Sequence, residues 1–406
     1  MSRRELLAIV VIAAILFIAE CVVVHRVYAS EYLGGNDFYP RWAGARALFL
    51  EGRDPYDPAV TKEIAAVLDP LGMQTNSFTF AYPLHVLFLM GPLALLPYDW
   101  AYAAWMVTVQ WVAFLLVIIL LRAHNWIPSP LAAAGLLLSS IIFYPIARSV
   151  ILGQFTVHIT LFVALSLLAL QSRRDGWAGA FLAATSIKPQ MVMFLAPALL
   201  LWTAAQRRWR FHQGFLAAGI AFLLASLVLF PRWPLSFLED IPRYSATAGG
   251  RIPLSILADT LVPPVAAPFV QYGIAGFLLL ASLFAWRRAW RAPDAEFQSA
   301  VNWTILASLL VPFQTGSTGQ VLLAIPLFGG LVFALRHWGR LAAVALASSL
   351  LAFLWALFLA TFSGESPLMF LALPLLVLVV LLVQESKKAY SKRLRLEKEI
   401  AQRVLD

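Results

Sequence analysis

The chain has 406 residues, 61% of them hydrophobic and only 13% charged, with a net charge of +9 and a mean hydropathy of +0.80. Soluble domains carry about a quarter charged residues, so a single water-soluble fold is excluded and lipid must solvate most of the chain. The lone Cys21 excludes a disulfide framework and a cysteine-based metal site, and the basic excess reads as orientation-setting charge at helix ends rather than a nucleic-acid surface.

Arg3-Arg4 precede an apolar run that ends near Val24. Val27-Tyr28-Ala29 resembles a weak signal-peptidase site, but the run is long for a signal peptide, so a retained anchor is expected. Further apolar segments follow at 83–96, 99–121, 131–147, 155–171, 177–187, 190–204, 212–230, 264–286, 298–313, 319–335, 341–361 and 367–385. With 6–28 they make thirteen candidates. The basic clusters Arg3-Arg4, Arg173-Arg174, Arg207-Arg208-Arg210, Arg287-Arg288-Arg291, Arg336/Arg340 and Lys387-Lys388 fall between them. The positive-inside rule puts all of these in the cytoplasm.

Both termini inside requires an even number of crossings. Segment 83–96 is short, and Pro83, Pro92 and Pro97 interrupt or bound it, so it is expected to dip into the membrane or lie at its surface. Twelve spans remain. The weakest is 177–187, which reaches only about 16 Å before Lys188-Pro189, so 177–204 reads as two short helices meeting near the outer side. The expected fold is an all-α polytopic bundle occupying 1–385 as one domain. Extracytoplasmic loops are expected at 29–82 and 231–262, with smaller turns at Arg148 to Gln154, Lys188-Pro189, Gln314 to Gln320 and Phe362 to Pro367. A basic helical tail at 386–406 faces the anionic inner leaflet. No nucleotide-binding motif occurs, and the cytoplasmic loops leave no room for a nucleotide-binding fold.

Within the first loop, apolar residues recur from Phe38 at Trp42, Ala45 and Phe49, with Arg41, Arg46 and Glu51 elsewhere on the wheel. That pattern suits an amphipathic helix on the membrane surface. Gly52 to Pro58 reads as a turn, and a second short helix is expected over Ala59 to Leu68.

Asp37 is the leading candidate for chemistry. It lies just past the first span, where membrane meets water, and a carboxylate there can act as general base on a hydroxyl. The plainer reading is a solvated loop residue or a helix cap. Lys188 is an ionisable group inside a long apolar stretch, which points to function, and its ammonium suits a phosphate; snorkelling to the interface is the alternative. Arg148 and Arg251 adjoin turns on the same side as Asp37, and either guanidinium could grip a phosphate. Arg232 and Arg243 share the 231–262 loop, and ordinary interfacial anchoring is the competing role for all four. His85 and His158 have no spaced partner suggesting metal. Gln154 and His158 share a helical face, which favours a packing hydrogen bond. Glu239-Asp240 are adjacent and so face different ways on a helix.

Asp37-Phe38-Tyr39, Trp42, Ala45-Arg46-Ala47-Leu48 and Gly52-Arg53-Asp54-Pro55-Tyr56 together resemble the first-loop signature of glycosyltransferase family 87. Tyr82-Pro83-Leu84 with Leu95-Leu96-Pro97 resembles its next block, where Leu84 stands in place of the family's second proline. Gly153-Gln154, Ala178-Gly179 and Lys188-Pro189 resemble the block after that. The resemblance covers about residues 30–210. It implies a GT-C fold, a multi-pass protein of a bacterial plasma membrane, and an extracytoplasmic active site. It implies a polyprenyl-phosphate sugar donor, most simply mannose, and a lipid or glycan acceptor, with no separate cofactor, no metal and no nucleic acid.

By this resemblance Asp37 matches the family's acidic residue, the expected catalytic base. Lys188, Arg148 and Arg251 would bind the donor phosphate. Tyr39, Trp42, Tyr82 and Gln154 would line the substrate groove. A secondary transporter or flippase fits the same span count, but no repeat relates 1–200 to 201–406, as many transporters would show. A non-catalytic assembly subunit is the third possibility.

Overall fold

The computed structural model describes residues 2–35, 37–69, 79–247, 253–312, 316–360 and 367–405, with backbone only for 243–247, 294–295, 367 and 391–405. Among these residues the fold is all-helical. It divides into two compact units. The first comprises Met1–Met191, Arg207–Arg251 and Ser317–Leu322; the second comprises Val192–Gln206, Ile252–Gly316 and Leu323–Asp406.

Among the described residues, six helical stretches are long and apolar enough to cross a membrane: Arg3–Ala29, Tyr98–Ala123, Trp209–Leu229, Ala267–Arg291, Ser317–Ala360 and Leu368–Tyr390. A seventh arises if the pair Pro130–Ile142 and Tyr144–Leu152, bent by 55°, is one span. Leu84–Ala94, Thr156–Gln171 and Leu195–Ala205 are shorter apolar helices. The apolar segment expected at 131–147 falls on this bent pair, whose second half continues to Leu152 through the start of the turn expected at Arg148 to Gln154. Phe143 leaves helical geometry between the two halves, and Pro145 at the start of the second lacks the N–H that would continue the ladder.

In the first unit, α1 (Arg3–Val24) opens on a capping box from Ser2 and Glu5. It packs on α5 (Tyr98–Ala123) through Phe17 on Trp111, with ring centres 5.7 Å apart. Trp111 Nε1 donates to Glu20 at 2.8 Å, so a carboxylate within an apolar helix has a specific partner. The first loop contributes α2 (Tyr39–Phe49) and α3 (Pro58–Leu68). Ala47 of α2 packs with Val60, Ile64 and Leu68 of α3. Leu87–Ala94 forms α4, and α2 binds it through Trp42 Nε1 to the Leu93 carbonyl at 3.2 Å and Arg46 to the Ala94 carbonyl at 2.9 Å.

The sequence wheel put Arg41 on the polar side of α2. Instead Arg41 is buried, because its charge is compensated inside the protein. Gly44 gives the reason for the close fit, since a Cβ there would lie 2.5 Å from the Phe80 ring.

The bent pair forms α6 (Pro130–Ile142) and α7 (Tyr144–Leu152), followed by α8 (Thr156–Gln171) and α9 (Asp175–Ala184). After α9 the chain makes a 3-10 turn over Thr185–Ile187 and another over Pro189–Val192, with Lys188 out of helical geometry between them. Pro189 forces that geometry, because a residue before proline is driven out of the helical region. Leu195–Ala205 and Trp209–Leu229 then form α10 and α11, of which α11 belongs to the first unit.

Helices α9 and α11 touch backbone to backbone. A Cβ on Gly179 would lie 1.9 Å from the Phe211 carbonyl oxygen, and one on Gly214 would lie 1.9 Å from that of Gly176. Small residues allow such approaches in lipid, where packing rather than hydrophobicity drives association. Arg208 closes one end of the pair on the Asp175 carboxylate and on the Leu170 carbonyl. Gly179→Ala is expected to lower stability by about 2–3 kcal/mol. Gly219→Ala, on the open side of α11, should be neutral or gain a few tenths of a kcal/mol to about 1. Thermal unfolding in detergent separates the two outcomes.

Trp233–Thr247 (α12) belongs to the first unit, and Pro253–Leu261 (α13), Ala267–Arg291 (α14) and Pro293–Leu310 (α15) belong to the second. Trp202 on α10 packs with Trp286 on α14 and Phe297 on α15, at 6.2 and 4.5 Å. Ala324–Ala360 forms α16. At 1.5 Å per residue it would far exceed the roughly 30 Å hydrocarbon core. Gly339, with φ of 86°, interrupts it, which divides it near the boundary expected between 319–335 and 341–361. Ala372–Leu405 forms α17. Its Glu385 pairs with Arg288 at 2.7 Å, and Lys388 reaches Glu296 at 3.4 Å, tying α17 to α14 and α15.

Candidate active site

Asp37 lies in the turn that leads into α2. Tyr98 Oη on α5 donates to the Gly34 carbonyl, and Tyr102 Oη, one turn on, donates to the Ile151 carbonyl. One helix face thus holds both the segment before Asp37 and the end of α7. The Asp37 N–H completes the join by donating to the Leu152 carbonyl at 3.2 Å. Phe38 is fully buried beside Tyr98, Tyr102 and Trp105. The residue following the carboxylate is therefore its anchor.

Helix α7 ends at Gly153, whose φ of 73° is the left-handed cap that glycine favours. A Cβ at this position would lie 2.3 Å from that of Phe38, so the close approach also requires glycine. Trp105 Nε1 donates to the Gly153 carbonyl at 3.0 Å. The turn presents Gln154, which is only 8% exposed. Its Nε2 donates to Asp37 Oδ2 at 2.6 Å, and its Oε1 accepts from Lys188 Nζ at 2.9 Å. Three residues far apart in sequence, Asp37, Gln154 and Lys188, thus form one continuous chain of polar contacts.

The other Asp37 oxygen faces Arg41 Nη1 at 3.4 Å, and the same guanidinium donates to the Asp37 carbonyl. Arg41 also stacks over the Tyr82 ring at 4.6 Å. Sequence reasoning missed Arg41 as a site residue. The available signal was its position four residues after Asp37, the spacing at which helical side chains meet. Tyr82 is buried, so it supports Arg41 rather than lining an open groove, and burial pushes its phenol above the usual range despite the adjacent guanidinium. Tyr82 is fixed in turn by Tyr56, whose Oη donates to its carbonyl at 2.6 Å.

Tyr39 and Trp42 are half-buried and pack edge-on to Tyr98 at 4.9 and 5.2 Å. Arg148 lies on α7, one turn before the carbonyl that binds Asp37. Arg251 falls outside the described residues, as does Gln314; Arg232 is exposed. The expected hydrogen bond between Gln154 and His158 is not made, because the Gln154 amide is engaged at both ends. His158 instead stacks on Trp105 at 5.0 Å, a packing role. His85 was also missed as a neighbour of the site. Its Nε2 meets Ser186 Oγ at 3.1 Å, two residues before Lys188. Glu239 is exposed and Asp240 buried, so the adjacent carboxylates do diverge.

The arrangement places a partly exposed carboxylate (28% for the side chain) beside the Arg41 guanidinium and one amide away from the Lys188 ammonium, with aromatic residues of α5 packed around the adjoining Phe38. It can accept a proton and steady an anion. Residues 80–312 match the sequence model of Glycosyltransferase family 87.

The chain belongs to glycosyltransferase family 87.

No curated protein and no solved structure matches it. The matched range runs past residue 210, where the visible resemblance stopped, and takes in Tyr82, Arg148, Gln154, Lys188 and Arg251. It begins after Asp37, Tyr39 and Trp42. As a family 87 member the protein is a membrane glycosyltransferase, and the contact of Gln154 with Asp37 is one of several that join its first loop to the matched range.

Proposed function

We propose that this glycosyltransferase moves a sugar, most simply mannose, from a polyprenyl-phosphate donor to the hydroxyl of an extracytoplasmic lipid or glycan acceptor. The observation that carries this reading is the Asp37–Gln154–Lys188 chain, which supports a base and a cation serving one reaction centre. Asp37 takes the proton of the acceptor hydroxyl. The oxygen attacks the anomeric carbon as the bond to the phosphate oxygen breaks, and polyprenyl phosphate leaves with the electron pair. Lys188 and Arg148, joined by Arg251, stabilise the negative charge developing on that phosphate. One in-line displacement inverts the anomeric centre, so a β-linked donor gives an α-linked product. A single base suffices, unlike the paired carboxylates of a retaining hydrolase.

The accompanying topology is twelve crossings with both termini cytoplasmic and the site outside. Six to seven long apolar helices, three shorter ones and the Gly339 break support a multi-pass arrangement of this kind. Tyr39 and Trp42 are the aromatic residues of the first loop best placed to meet a sugar or lipid chain. The test is incubation of membranes containing the protein with labelled polyprenyl-phosphate mannose. A labelled glycoside that depends on the protein is expected. Movement of the labelled lipid across the bilayer with no new glycosidic bond would overturn the reading in favour of a flippase.

A further inference from the structure

Gln154 is held more tightly than a groove-lining residue needs to be. Its N–H donates to the Ser149 carbonyl at 2.9 Å. The preceding Gly153 is fixed by its left-handed φ, by Trp105 and by its contact with Phe38. The side chain is thus fixed at its base and engaged at its tip. The orientation of the amide follows from its neighbours. An ionised carboxylate only accepts hydrogen bonds and an ammonium only donates them, so the NH2 must face Asp37 and the oxygen must face Lys188.

We propose that Gln154 is a positioning residue whose amide keeps the Asp37 carboxylate and the Lys188 ammonium from pairing with each other. The inference rests on the proposed roles of those two groups. Lysine carries its charge on a flexible four-carbon stem, and only one amide and two hydrogen bonds separate it from Asp37. Direct contact would satisfy both charges and spoil both functions, since a carboxylate against an ammonium is a poorer base and a neutralised ammonium is a poorer ligand for phosphate. A neutral amide satisfies each group with the matching end of its dipole and leaves the net charges in place. Arg41 from α2 also faces Asp37, and the Tyr82 phenol is close enough to interact with it. Arg41 is fixed by the Asp37 carbonyl and the Tyr82 ring, so it forms a constant background when Gln154 is changed.

The test is the acid limb of the pH profile of kcat/KM, which reports the base in the free enzyme. Gln154→Ala lets Lys188 swing onto Asp37. The limb should move to lower pH by about one pH unit, and the KM for donor should rise. Gln154→Glu, of the same size, sets a carboxylate against Asp37, and the limb should move to higher pH by about one unit or more. Movement in opposite senses is the signature, because a merely structural role would lower the yield of folded enzyme without it. No movement, or movement in the same sense, overturns the proposal. If the alanine variant fails to fold, Gln154→Ser, which also removes the amide, should show the same downward shift, and its absence overturns the proposal. Infrared titration of Asp37, taken as the difference from Asp37→Asn in each background, follows the same carboxylate without turnover. An active Asp37→Asn would refute the proposed role of Asp37 as base, whereas an inactive one with unmoved titrations would refute only the role of Gln154.

Discussion

Asp37→Asn is expected to lower sugar transfer by roughly 10³-fold, to the limit of detection in a membrane assay. Asparagine keeps the shape and still accepts from Gln154, but it cannot take the proton of an acceptor hydroxyl. The fold should survive. The Asp37 N–H and carbonyl retain their bonds to Leu152 and Arg41, and Phe38 stays buried among the α5 aromatics. Arg41 loses part of its ionic partner, which should cost about 1–2 kcal/mol. Thermal unfolding in detergent and the level of protein in membranes check that expectation separately from activity. A variant with full transfer would remove Asp37 from the mechanism and return it to the plainer role of a capped loop residue.

The second large effect is expected at Lys188. Lys188→Met keeps most of the side-chain volume and removes the charge. It should raise the KM for donor and lower kcat/KM by roughly 10²–10³, with little change in the KM for acceptor. Lys188→Arg should retain part of the activity, since a guanidinium also binds phosphate but from a different geometry. Stability must be measured in parallel. Methionine leaves the Gln154 oxygen without its donor, at a cost of about 1–3 kcal/mol if water does not replace it. A loss seen only through the acceptor KM would move Lys188 from the donor phosphate to the acceptor side of the site.

The two substitutions act on opposite ends of one chain of contacts, so their effects should not simply add. Removing either group changes the electrostatic environment of the other through Gln154, and neighbouring sites of this kind are coupled. For the same reason, the pH dependence of Lys188→Met is a useful companion to its rate. If the amide separates the two charges well, loss of the ammonium moves the acid limb far less than Gln154→Glu does.

By itself, the sequence determined that the chain is a multi-pass helical membrane protein, since apolar run length and charge placement are local properties and lipid reads them directly. It also determined the break at Lys188-Pro189, which steric restriction by proline imposes wherever the residues sit, and it marked Asp37, Gln154 and Lys188 singly through the family blocks around them. It did not reveal that these three touch. Residues 37, 154 and 188 become neighbours only because two tyrosines of α5 hold the first loop against the end of α7, and because Gly153 lets Phe38 approach. Arg41 shows the same divide. A helical wheel assigns a charged residue to the solvent side because bare burial is costly, whereas the Asp37 carboxylate and carbonyl one turn back and the Tyr82 ring from elsewhere in the fold offset that cost. Which charges lie inside was decided by tertiary structure, because compensation depends on partners that only folding brings together.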